Sequence, residues 1–263
     1  MTVIDKLVGI TAQHNEIVKR VGNGSLDSDS VRKALQDIIE GKFLVVTPGV
    51  VLSTWYVSPE RQLERVKQLN AEREWGFTES DIPSIPENFT PRTATEVLLL
   101  AVYLPKKGKV SGLQRTFDEL WQLIKAPQGL TKYRWDELKS DSKHLRSAPG
   151  HSHKPGIRWV AFDPNTYRAK SPEQALKLSE QDNVQLAGVE ILMAELLFQS
   201  WATSWNGDSS PFPNLSGLQF YWNTDWSYVP YLYRWDDDRQ LELSAIWAVS
   251  GSSRYASPSV GEC

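Results

Sequence analysis

The sequence predicts an α+β fold: an N-terminal helical module, then an α+β domain with a largely antiparallel sheet and a C-terminal Trp-rich β-meander packed on central helices. Three observations predict it. Apolar residues recur at helical spacing along the N-terminal part. A nearly unbroken apolar stretch from Leu186 to Phe198 demands a place at the centre of a domain. The last third alternates apolar and polar side chains between turn residues and holds Trp201, Trp205, Trp222, Trp226, Trp235 and Trp247 of the chain's 11 tryptophans.

The chain begins with two predicted helices. Over 3–18, Val3, Ile4, Leu7, Val8, Ile10, His14, Ile17 and Val18 share one helical face, and Gly22-Asn23-Gly24 stops the run. The second starts at Ser28 to Ser30 and ends at Glu40, with Val31, Leu35, Ile38 and Ile39 inward and Gly41 able to take positive φ. Phe43 to Thr47 and Val50 to Val57 are β-branched and aromatic around Pro48-Gly49, the pattern of two short strands. Ser58-Pro59-Glu60 then opens a helix reaching Trp75: serine caps, proline suits the first position, and glutamate meets the positive end of the dipole. Pro83, Pro86 and Pro91 make 78–92 the expected linker between a module of residues 1–77 and a domain of residues 93–263.

Within that domain, Glu96 to Leu104 has the apolar continuity of a strand buried on both faces. Leu113, Phe117, Leu120, Trp121 and Ile124 form one stripe of a helix from Ser111 to Lys125, and Tyr133 to His153 reads as polar and irregular. Ile157 to Phe162 is a strand, and Ser171-Pro172-Glu173-Gln174 is a capping box. Strands follow at Leu218 to Trp222, Tyr231 to Trp235 and Leu241 to Ala248, with Asp236-Asp237-Asp238 as the last hairpin turn. Leu241, Leu243, Ala245 and Trp247 share one face of the final strand, opposite Glu242 and Ser244.

A net charge of −3 conceals an uneven layout: residues 105–170 hold 14 cations against 6 anions, and residues 171–263 hold 4 against 12. Either the two segments pack together, or the basic one faces a polyanion. The single cysteine, Cys263, excludes an internal disulfide. The N-terminus lacks a signal-peptide pattern, and Glu190 and Glu195 interrupt the longest apolar run, so a cytoplasmic protein without membrane partners is expected.

No Walker A, G-x-G-x-x-G or G-x-S-x-G pattern is present, and no cofactor is expected. His151 and His153 are the candidate metal ligands, because two imidazoles at i and i+2 on a strand point the same way; Asp141, His144 or Asp163 could complete a zinc site for a hydrolase. The competing reading is a solvated Gly/Pro/Ser-rich loop. Trp226 and Tyr228, in a polar turn-like context, are candidates for an exposed aromatic face, although tryptophan on a sheet is ordinarily core. Lys106, Lys107, Lys109, Lys132, Arg134, Lys143 and Arg146, with Tyr133 and Trp135 to stack, supply the cations and rings of a nucleic-acid surface, or else a solvated connector.

The stretches Arg32–Phe43, Leu104–Leu123, Arg134–Asp141, Lys154–Val160 and above all Gly217–Ala248 (GLQFYWNTDWSYVPYLYRWDDDRQLELSAIWA) resemble a family of uncharacterised proteins of candidate-phylum bacteria. The resemblance covers most of the chain and implies a separable N-terminal module; it implies no activity, ligand or catalytic residue. The leading expectation is a non-enzymatic intracellular binding protein with a protein partner. The alternatives are a nucleic-acid-associated protein using residues 105–170 and a metal-dependent hydrolase centred on His151 and His153.

Overall fold

Local sequence sets most of the helices and the longer strands. The computed structural model describes residues 45–47, 50–51, 55–126, 130–198, 201–207, 210–235 and 240–263. The expected helices at 3–18 and 28–40 and the turn at Asp236 to Asp238 lie outside the described residues. β1 (Val45–Thr47) pairs antiparallel with β2 (Val50–Val51). α1 (Pro59–Glu72) starts at the Ser58 cap with proline in its first turn. All seven side chains of β3 (Val97–Tyr103) are buried. α2 (Gly112–Leu123) is capped by Ser111, whose hydroxyl accepts the Gln114 N–H at 3.2 Å. β4 (Thr131–Arg134) runs into the segment expected to be irregular, Tyr133 to His153, which also contains β5 (Leu145–Ser147), before β6 (Gly156–Asp163).

α3 (Pro172–Asp182) carries the full capping box: Gln174 N–H donates to Ser171 Oγ, and Ser171 N–H to Gln174 Oε1. β7 (Gln185–Leu186) leads into α4 (Val189–Leu197), in which every residue is buried, Glu190 and Glu195 included. Next along the chain come α5 (Trp201–Ser204), β8 (Phe212–Pro213), β9 (Leu218–Trp222), β10 (Asp225–Trp235), β11 (Gln240–Trp247), β12 (Tyr255–Ala256) and β13 (Ser259–Glu262).

These strands make two principal sheets, so the fold is mixed α+β with largely antiparallel pairing. The four-stranded sheet runs β3-β6-β13-β7, all antiparallel. The five-stranded sheet runs β4-β11-β10-β9-β5 and is antiparallel except where β4 lies parallel to β11. β9, β10 and β11 form the expected meander, but α4 packs on α2 and β3 instead of covering it. A chain of ring contacts joins the sheets: Phe162 meets Trp201 at 5.6 Å, Trp201 meets Trp205 at 5.1 Å, Trp205 meets Phe212 at 6.4 Å, and Phe212 meets Tyr233 at 4.3 Å. Most of these contacts approach the perpendicular geometry that aromatic quadrupoles favour.

Residues 45–263 form one compact unit, in which α1 packs on β3. Gln62, fully buried, donates through Nε2 to Val57 O at 2.8 Å and Leu98 O at 2.9 Å, and accepts the Leu100 N–H at 2.9 Å. Its amide thus satisfies peptide groups on β3 that a neighbouring strand would otherwise take. Tyr56 OH adds a bond to Leu98 O at 3.1 Å.

Candidate functional site

Two features have chemistry beyond packing: an aromatic rim on the five-stranded sheet and a polar cluster beside β5. The rim arises where strand alternation outruns its cover. Leu241 and Leu243 are fully buried, but Trp247, further along the same face of β11, is 54% exposed. Tyr228 lies between Trp247 on β11 and Phe220 on β9 in register. Trp222, 36% exposed, meets Tyr228 edge-on at 5.2 Å, and Trp135 meets Trp222 at 5.1 Å and Phe220 at 6.2 Å. Val249, in the turn two residues after Trp247, is also half exposed.

The sequence nominated Trp226 and Tyr228 for an exposed face. Both are half-buried, and Trp226 is covered by the Arg146 guanidinium, 4.0 Å from its ring centroid, with Tyr221 at 5.3 Å. Among the described residues the solvent-facing indoles are Trp222 and Trp247, whose alternation with apolar neighbours resembles that of core residues.

The nominated cations fall into separate groups. Lys106, Lys107 and Lys109 are exposed on the turn closed by mutual Lys107–Val110 backbone bonds of 3.1 Å. Lys132 Nζ donates to the carbonyls of Trp121, Gln122 and Ile124, closing the negative end of α2, and sits 4.8 Å over the Trp121 ring. Desolvation there lowers its pKa. Arg134 bonds Asp118 at 2.7 Å and the Leu138 carbonyl at 2.9 Å. Tyr133 is on the opposite face of β4 from these two cations, in register with Glu242. Lys143 is exposed and Arg146 is held by Gln219, near and on β5. Because β4 and β5 are opposite edges of the sheet, these cation groups are four strand spacings apart, roughly 19 Å.

The polar cluster draws on β3, β5, β6, α4 and the loop between β5 and β6. Ser147 Oγ is 2.7 Å from His153 Nδ1. The His153 ring packs on Tyr103 at 5.7 Å, and the Arg158 guanidinium sits 4.1 Å over that same Tyr103 ring. Tyr103 OH donates to Glu190 Oε1, and Glu190 Oε2 accepts the Gly188 N–H at 2.7 Å. Burial, then the Glu190 charge, raises the Tyr103 pKa well above its ordinary value, keeping the phenol a donor. Burial lowers the His153 pKa; Glu190 opposes that shift, while His151 and Arg158 add to it.

His151 has a different task from the one its spacing suggested. Its Nε2 accepts the Leu186 N–H at 2.7 Å, and its Nδ1 bonds Pro149 O at 2.9 Å, so both ring nitrogens serve the backbone. An imidazole so engaged has no lone pair for a metal, and no group of three or more His, Cys, Asp or Glu among the described residues is placed to hold one. His144 instead pairs with Asp141 at 2.9 Å, and Asp163 accepts from Thr93 at 2.8 Å and Thr95 at 2.7 Å. The Cys263 thiol is pushed up to about 11 by burial and Glu96, which keeps it un-ionised.

No helix among the described residues is long and apolar enough to cross a membrane. No protein-family model, curated protein or solved structure matches the chain.

Proposed function

We propose that the protein is a binding protein whose contact surface is the aromatic rim of Trp222, Tyr228, Trp247 and Val249, and whose partner is an apolar or aromatic segment of another protein. The observation that carries this reading is the exposure of Trp247 (54%) and Trp222 (36%) in a chain that buries Trp75 and Trp205 almost completely. Large exposed indoles flanking a half-buried tyrosine have the composition of an interface hot spot. A protein partner is favoured over nucleic acid because Lys132 and Arg134 are committed to carbonyls and Asp118, and Tyr133 is on the other face of their strand.

The test is a photo-crosslinker placed at Val249, identification of the captured protein, and calorimetry on the purified pair. The Trp222→Ser/Trp247→Ser double variant should weaken binding by about 30-fold or more, the effect of losing a hot spot. Raising salt from 50 to 500 mM should change affinity little. Unaltered affinity in the double variant defeats the proposal. So does tight, steeply salt-dependent binding of a single-stranded oligonucleotide that Lys106, Lys107, Lys109 and Lys143 control, which establishes the nucleic-acid reading instead.

A further inference from the structure

A second feature, separate from the rim, combines a hydroxyl, a base and a structure that holds them together. Ser147 ends β5, and its register partner Leu218 fixes the side of the sheet on which the hydroxyl stands. His153 arrives on the loop after that strand. The loop turns at Gly150, whose φ of +76° is a left-handed conformation open to glycine, and is held to β7 by the Leu186–His151 bond. The imidazole then settles against Tyr103 on one side and Gly188 on another. A Cβ at position 188 would lie 3.2 Å from His153 Nε2, tighter than ordinary contact.

The 2.7 Å separation of Ser147 Oγ and His153 Nδ1 is the reach of proton transfer, and both residues are half-buried, not sealed in the core. Glu190 takes the Tyr103 OH and the Gly188 N–H, and so fixes the two groups, the Tyr103 ring and Gly188, against which the imidazole rests. Arg158, on the Tyr103 ring, is the cation of the same cluster.

We infer that Ser147 is a nucleophile toward acyl electrophiles, with His153 its general base, Tyr103, itself held by Glu190, positioning that base, and carboxylic esters the substrate class. In the reaction, Ser147 Oγ forms a bond to the ester carbonyl carbon as its proton passes to His153 Nδ1. The tetrahedral adduct collapses, the bond to the alkoxy group breaks, and that group leaves with the proton from Nδ1. Water then adds to the acyl-serine with its proton taken by Nδ1, and collapse returns that proton to Ser147 Oγ and frees the acid. No oxidant, reductant or second substrate besides water is needed. The burial of His153 keeps the base neutral, and so able to accept, at neutral pH.

The experiment is labelling of the full chain with an alkyl fluorophosphonate, followed by intact mass and peptide mapping, alongside turnover of p-nitrophenyl acetate. One adduct on Ser147 is expected, with labelling that rises with pH through an apparent value below the ordinary histidine range. His153→Gln should slow labelling by roughly 100-fold, the usual contribution of a positioned base. Ser147→Ala should abolish the adduct and the turnover. Ser147→Cys, which retains a nucleophile at the same place, should move reactivity to iodoacetamide, with the new thiol alkylated faster than Cys263. An unlabelled wild-type chain after prolonged excess reagent overturns the inference, since that result does not depend on any variant folding. Adducts confined to tyrosines, or a labelling rate indifferent to His153→Gln in a folded variant, overturn it equally.

Discussion

Glu195 accepts the Ala202 N–H through Oε2 at 3.0 Å, while its equally buried Oε1 has no hydrogen-bonding partner among the described residues. That single bond ties the end of α4 to the start of α5, where the aromatic chain between the sheets begins. Burial raises the Glu195 pKa well above the ordinary carboxylate range, and the Ala202 bond offsets this only in part. The group is therefore held as a neutral acid in the fold and ionises readily once unfolded.

Stability should vary with pH because of that difference. At pH below the ordinary carboxylate range both states are protonated and Glu195 carries no penalty. As pH rises above that range the unfolded chain releases the proton first, so stability declines until the folded pKa is reached. Glu195→Gln, which keeps an acceptor for Ala202 and cannot ionise, should melt higher than the wild type at pH 8, with the difference closing near pH 4. Equal melting temperatures at both pH values refute a neutral buried acid.

Gln62→Leu keeps the apolar bulk of the side chain and removes its three hydrogen bonds. Leu100 N–H loses its acceptor outright, whereas Leu98 O retains Tyr56. The loss should be about 2–4 kcal/mol, the cost of one or two buried unsatisfied peptide groups, read from urea denaturation. Amide exchange at Leu100 should accelerate at least as much as global unfolding does.

Gly217→Ala inserts a methyl group at 2.5 Å from Leu186 O and 2.9 Å from Gly188 N, both backbone atoms that cannot swing aside. A destabilisation of about 3 kcal/mol is expected. The same displacement passes to the Gly188–His153 contact, so fluorophosphonate labelling should slow even under conditions where the variant is folded by circular dichroism.

Two tryptophans should respond oppositely to truncation. Trp205 is fully buried between Trp201 and Phe212, and Trp205→Ala should cost about 3–5 kcal/mol. Trp247→Ser should change stability by about 0.5 kcal/mol or less, as surface changes do. Chemical denaturation of both variants checks this contrast, on which the assignment of the rim to binding depends.

Features decided by near neighbours were legible in the sequence. The Ser58 and Ser171 caps, the fully buried β3 and the all-buried α4 each arise from residues within one element. The short strands were not: β4, β5, β7, β12 and β13 span two to four residues, and distant strands set their pairing. Gln62 looks like a solvated helix residue until β3 is laid beside it, and Lys132 and Arg134 look like free cations until α2 and Leu138 claim them. The adjacency of Ser147 and His153 hinges on a loop held by His151, so the histidine spacing pointed toward metal when its meaning was conformational.

The inner position of β13 has a consequence for biosynthesis. It separates β6 from β7, so the strand order from residue 97 to residue 262 cannot be completed until Ser259–Glu262 has left the ribosome tunnel. Until then β6 presents an apolar, unpaired margin along Val160, Ala161 and Phe162. The nascent chain therefore carries an adhesive sheet margin for as long as Ser259–Glu262 is missing from the sheet, the interval in which a chaperone has the most to protect.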